Sequence, residues 1–207
     1  MSRLIAKVCG LTDAADAAQA LHAGADLLGF VQYPASPRHC ADMASARGPA
    51  GDKAVLVIVD DDVARVEAIA RAHAFLWVQP YVSPPLRAGA VHRLRDGGLR
   101  VLLPWPDVPG QQPISADLYL WETSPAATGV HGGSGQSHAA LHPPPGDFLL
   151  AGGLDAARVG ERIAALPAAQ RARLRGADAA SRLESSPGRK DPQAVSDFTR
   201  TVHALEL

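Results

Sequence analysis

Cysteine is nearly absent, with Cys9 and Cys40 the two in 207 residues, too few for a disulfide framework. Long apolar runs are missing as well. The longest extend about six residues, against the roughly 20 that a membrane span needs. The opening Met-Ser-Arg-Leu-Ile-Ala-Lys has no signal-peptide hydrophobic region. Charge of one sign is not in excess: the net charge is -1, which speaks against a nucleic-acid-binding surface or an acidic tail. Lysine is scarce beside arginine, alanine, glycine and proline, a bias we attribute to a GC-rich coding sequence and from which no function follows. These absences predict a cytoplasmic protein with neither nucleic-acid nor membrane partners. The 47% of apolar residues is enough for a sizeable core and argues against general disorder.

What is present is alternation. Short apolar runs at 4–8, 26–30, 54–59, 75–79, 100–103, 117–121, 147–150 and 173–179 read as strands. Stretches at helical spacing follow them, at 13–22, 41–47, 61–72, 86–96, 137–141, 155–165 and 192–205, with Thr12 as a candidate N-cap for the first and Gly97-Gly98 ending the fourth. Between strands five and six, Pro104 to Pro113 leave room for at most a short helix. Strand-then-helix order implies a parallel sheet covered by helices. Eight such units without an interdomain linker favour closure into a single-domain α/β structure, a (β/α)8 barrel over residues 1–207.

A barrel of this kind carries its chemistry where strands end and the next loops begin. Those positions read Cys9-Gly10-Leu11-Thr12, Ser36-Pro37-Arg38, Asp60, Gln79, Glu122-Thr123, Gly132-Gly133-Ser134-Gly135, Ala151-Gly152-Gly153-Leu154 and Asp178 to Glu184. Glycine and polar residues gather there, as binding a phosphate requires. Lys7-Val8-Cys9-Gly10-Leu11-Thr12, Ala23-Gly24-Ala25-Asp26 with Gly29-Phe30, Ser36-Pro37-Arg38, the two glycine loops, and Glu184-Ser185-Ser186-Pro187-Gly188 with Lys190-Asp191 follow one another in an order that resembles the phosphoribosylanthranilate isomerases, the barrel enzymes of tryptophan biosynthesis. The resemblance spans residues 7–191.

It implies an Amadori rearrangement of an aminoaldose phosphate to an aminoketose phosphate, without metal or cofactor, by a monomer or homodimer. It places the base that removes the C2 proton at Cys9, which needs a populated thiolate and hence surroundings that lower the thiol pKa. It places the acid that protonates the ring oxygen at Glu122, where the family has aspartate. The extra methylene moves the carboxyl by about 1.5 Å, a scale of misplacement that can cost a hundredfold in rate. Arg38 matches the arginine expected to pair with the anthranilate carboxylate. Phosphate recognition falls to backbone N–H groups of Gly132, Gly133, Ser134 and Gly135, of Gly152 and Gly153, and of the last strand's loop with Ser181 and Arg182.

The chain departs from the family in several places. Arg182 stands where glycine is expected beside the phosphate, where its Cβ blocks approach or its charge adds a contact. Gln79-Pro80-Tyr81-Val82 replaces Gln-Leu-His-Gly, the fifth-strand lysine is missing from Leu102-Leu103-Pro104-Trp105, and His138-Ala139-Ala140 replaces Phe-Asp-Trp. A second reading is therefore a diverged paralogue that acts on or binds another phosphorylated or carboxylated small molecule. A third, a zinc hydrolase built from His131, His138, His142 and Glu122, meets Pro143-Pro144-Pro145 immediately after the histidines. Solvated loop histidines are the plainer reading there. The three tryptophans, Trp77, Trp105 and Trp121, sit on or just after strands, as packing residues do.

Overall fold

A computed structural model of the chain describes residues 3–106, 110, 112–122 and 142–206. Each expected strand is present: β1 Ile5–Cys9, β2 Leu27–Gln32, β3 Ala54–Val59, β4 Trp77–Tyr81, β5 Arg100–Pro106, β6 Leu118–Glu122, β7 Phe148–Leu150 and β8 Leu174–Ala179. They pair in chain order, all parallel, and β8 bonds back onto β1 to close a barrel. The helices are α1 Ala14–His22, α2 Met43–Arg47, α3 Val63–Ala72, α4 Arg87–Asp96, α5 Val159–Ala164, α6 Ala168–Arg171 and α7 Pro192–Ala204. The helix expected at 137–141 lies outside the described residues.

Two local expectations need correction. Asp13, not Thr12, caps α1: its carboxylate accepts from the Asp16 N–H at 2.8 Å, while the Thr12 hydroxyl donates to the Gly188 carbonyl at 2.8 Å. A carboxylate is the better cap because it also meets the positive end of the helix dipole. The helix expected over 155–165 begins only at Val159. Asp155 takes the Arg158 N–H on its side chain at 3.0 Å, a local bond that competes with a helical turn. α6 was not foreseen.

Strand parity divides the core in two. Ala6, Val8, Leu56, Ile58, Val78, Tyr119 and Trp121 point outward into the layer under the helices. Cys9, Val55, Val57, Leu118 and Leu120 point into the barrel. The tryptophans do pack: Trp121 meets Phe148 edge-on at 5.3 Å, Trp105 meets Tyr119 at 5.7 Å, and the Arg100 guanidinium lies 4.5 Å over Trp77. Register between β4 and β5 runs only through Trp77↔Arg100 and Val78↔Val101. Beyond it stand Pro80 and Pro104, which have no N–H to extend a ladder.

The same parity turns two charges inward. Lys7 on β1 and Asp178 on β8 are register partners across the closing seam, joined at 2.6 Å, with the lysine fully buried. A buried charge persists only when paired, and removing one partner of such a pair costs about 3–5 kcal/mol. Lys7→Met should lose stability on that scale in a denaturant titration. Lys7→Met with Asp178→Leu should recover most of it, since replacing both charges by apolar groups is close to neutral.

Candidate active site

Every candidate residue that the structure describes lines one cavity at the C-terminal mouth of the barrel: Cys9, Arg38, Glu122, Gly152, Gly153, Ser181 and Arg182. Gly132, Gly133, Ser134 and Gly135 lie outside the described residues, as do His131 and His138. Gln79, Tyr81 and Asp178, named at strand ends from the sequence but given no catalytic or binding role there, complete the wall, and Lys7 is buried. Parity was the signal that identifies them. Once Cys9 faces inward, so must Lys7 two residues before it, and with it the register partner Asp178; Gln79 and Tyr81, two apart on β4, share one face of their strand.

Cys9 ends β1 and is a buried free thiol. Room for its sulfur comes from Gly29 on β2, where a Cβ would sit 2.7 Å from Sγ. Burial raises the Cys9 pKa, and Asp178 adds to the rise; Lys7 and Lys190 oppose it without overcoming it. The resting group is therefore the thiol, contrary to the lowering that the sequence reading asked for. Lys7 stays charged: burial works against it, but Asp178 and Cys9 more than compensate, so its pKa lies above the ordinary lysine value.

Glu122 ends β6, 7% exposed. Burial, and then the Asp178 charge, push its pKa up to about 7, against the downward pull of a hydrogen bond from Tyr81 and the charges of Lys7 and Arg87. The Tyr81 hydroxyl donates to Glu122 Oε2 at 3.2 Å and accepts from Gln79 Nε2 at 3.0 Å. Burial and the neighbouring Glu122 hold the Tyr81 phenol well above its ordinary pKa, so it remains a donor.

At the rim, Arg38 forms a two-point pair with Glu184, Nε to Oε1 at 2.8 Å and Nη2 to Oε2 at 2.9 Å. Lys190 reaches the same carboxylate at 2.8 Å. Burial alone would raise the Glu184 pKa, but hydrogen bonds from Arg38 and Lys190 bring it below the ordinary carboxylate value. Gly10, at φ +80°, leaves space that a Cβ would take from Arg38 Cδ at 2.6 Å. Gly152 and Gly153 adopt φ of 101° and 63°, a left-handed run that favours glycine and brings backbone to the cavity wall. Ser181 and Arg182 form a short 3-10 turn, with the Arg182 guanidinium 3.7 Å from Asp155. Asp60 lies beside a neighbouring cavity instead, accepting from the Asp62 N–H at 2.9 Å.

The chain as a whole is similar to proteins of known name. The N-(5'-phosphoribosyl)anthranilate isomerase of Azorhizobium caulinodans is 35% identical over 218 residues, covering 97% of this chain and 92% of that protein. The chain belongs to the phosphoribosylanthranilate isomerase family. The Deinococcus radiodurans protein of the same name is 38% identical, with 95% of each chain covered. TrpF from Jonesia denitrificans superposes with a TM-score of 0.75 at 28% identity over 96% of both chains. The phosphoribosyl anthranilate isomerase of Thermus thermophilus shares the fold, with a TM-score of 0.73 at 24% identity, over 98% of this chain and all of that one. No family model matches the chain. Among the described residues of this phosphoribosylanthranilate isomerase family member, no helix is long and apolar enough to cross a membrane.

The Glu122 shift has a stability consequence with a definite sign. At a pH below the ordinary glutamate value of 4.5, folded and unfolded chains both carry the acid, and its burial is unopposed. As pH rises toward 7 the unfolded chain ionises first, so stability falls until the folded group also ionises. Between about pH 5 and about pH 8 the stability of Glu122→Gln should rise relative to wild type by about 2–3 kcal/mol, from 1.36 kcal/mol per pKa unit. Chemical denaturation of both proteins at the two pH values measures it, and a pH-independent difference would contradict the buried acid.

Proposed function

We propose that the chain catalyses the isomerisation of phosphoribosylanthranilate, with Glu122 as acid and Cys9 as base, without a cofactor, as a cytoplasmic monomer or homodimer. The observation that carries this reading is the buried Glu122, raised to about 7, lining the same cavity as Cys9. A buried carboxyl that titrates near neutrality, in one cavity with a thiol, is suited to acid–base isomerisation.

Glu122 gives its proton to the ring oxygen as the C1–O bond breaks and the anthranilate nitrogen forms a C1=N iminium. The Cys9 thiolate then takes the C2 proton, and the C–H electrons become the C1=C2 bond of an enolamine. Loss of the C2 hydroxyl proton and gain of a proton at C1 give the aminoketose with no net change in composition. Lys7, the buried cation that bears on Cys9, favours the thiolate at the moment it is needed. The N–H groups of Arg38 left over from Glu184 are offered to the anthranilate carboxylate. Backbone at Gly152, Gly153 and Ser181 is offered to the phosphate, joined by the Gly132–Gly135 loop. Arg182, held only at 3.7 Å by Asp155, is free to turn to a phosphate dianion, the stronger partner.

The active ionisation is a minor one, because at neutral pH the thiol is protonated and the carboxyl is about half ionised. The rate constant kcat/KM should climb with pH to a break near 7, hold level, and fall only above the ordinary thiol range. Turnover of freshly generated substrate, followed by loss of its fluorescence, tests the assignment. Cys9→Ala and Glu122→Ala should each lower kcat by 10²-fold or more, on the order of the usual loss of a general acid or base. Folded wild-type protein without turnover would overturn the proposal in favour of a diverged barrel. The engaged Arg38 fork and Tyr81 in place of the expected histidine are what such a barrel would show.

A further inference from the structure

We propose that Tyr81 is the positioning residue that makes a glutamate serviceable as the acid at position 122. This inference rests on the isomerase reading. The phenol spans from Gln79 to Glu122, accepting from Gln79 Nε2 at 3.0 Å and donating to Glu122 Oε2 at 3.2 Å. Glu122 has one more rotatable bond than the expected aspartate, and an acid swinging about that bond loses its alignment. A donor on Oε2 fixes the plane of the carboxyl. It also decides which oxygen carries the proton, because an oxygen that already accepts from Tyr81 is the poorer place for one. The proton rests on the other oxygen, Oε1, and leaves from there to the substrate's ring oxygen. Tyr81 keeps its own proton throughout.

Gln79 holds Tyr81 in turn. It is 1% exposed, spends its amide N–H on the phenol, and among the described residues its Oε1 has no hydrogen bond. A buried amide that gives up one bond to keep another ranks the Tyr81 contact above its own satisfaction. Charged groups that act on Glu122 from other elements are Lys7 on β1, Asp178 on β8 and Arg87 on α4. Their charges act on the acid whichever residue stands at position 81. The hydrogen bond is what Tyr81 contributes alone.

The test is Tyr81→Phe, which keeps ring and volume, together with Glu122→Gln and the double variant. Thermal melting checks that each is folded. Tyr81→Phe should lower kcat roughly 10- to 100-fold with little change in KM, and move the break near pH 7 upward, because a bond favouring the carboxylate has been lost. In the Glu122→Gln background the same substitution should change kcat less than twofold, since no acid remains to be placed. Infrared titration of the Glu122 carboxyl, assigned by its loss in Glu122→Gln, reads the same shift without turnover. Active wild type with an unchanged break and titration in Tyr81→Phe would overturn the positioning role and leave the isomerase intact. Inactive wild type would overturn the isomerase and this inference together, and equal losses in both backgrounds would reduce Tyr81 to packing.

Discussion

Closure of the barrel between its first and last strands sets Lys7 opposite Asp178, and the chemistry at the mouth is arranged around that pair. Neither charge is tolerable alone in the interior, so each fixes the other at 2.6 Å. The two ends of the pair then act in opposite senses on what lies above them. Asp178 raises Glu122 and so favours its acid form, whereas Lys7 opposes the burial that disfavours the Cys9 thiolate. At Glu122 the Asp178 charge outweighs that of Lys7, and at Cys9 the Lys7 charge outweighs that of Asp178. Separated environments of this kind let two groups in one cavity play different parts at one pH.

A second charge centre organises the rim. Glu184 is held by Arg38 and Lys190 and stands at the start of a small antiparallel pair, Glu184–Ser186 with Arg189–Lys190. The following Asp191 caps α7 through Gln193 and Ala194. The Glu-Ser-Ser-Pro-Gly and Lys-Asp segments thus lock the last loop to the second strand's loop through Arg38. This explains why Arg38 is preorganised and also why its fork is not free. With Nε and Nη2 engaged by Glu184, the carboxylate contact proposed for Arg38 falls to its remaining donors.

Much of this was legible in the sequence. Runs such as Ala54–Val59 are apolar on both parities, as strands buried on both faces must be, and they marked the barrel without help from the structure. Cys9, Arg38, Gly152 and Gly153 were legible because they sit at strand ends in motifs with fixed spacing. Lys7, Gln79, Tyr81 and Asp178 were harder, since their meaning depends on which way a strand faces and on which residue lies opposite in register. Lys7 and Asp178 are 171 residues apart, and nothing local announces that they touch. The Thr12 cap failed for a smaller reason: two adjacent residues both suit the position, and only the turn of the chain decides between them. The thiol shift failed because burial and charge oppose each other at Cys9, and their balance is a matter of distances.

The departures from the family pattern make physical sense as a matched set. The strands of a closed barrel fix its width, so a longer acid on β6 needs something from the side to keep it still. Histidine at the end of β4 would bring a group that itself changes charge near neutrality, beside an acid that must titrate there. Tyrosine brings a rigid ring with two rotatable bonds and a donor whose proton stays in place across the working range. It reaches Glu122 because strand parity turns both residues into the same cavity. On the positioning role proposed for Tyr81, the longer carboxyl and the phenol form a matched pair, joined by the hydrogen bond at 3.2 Å.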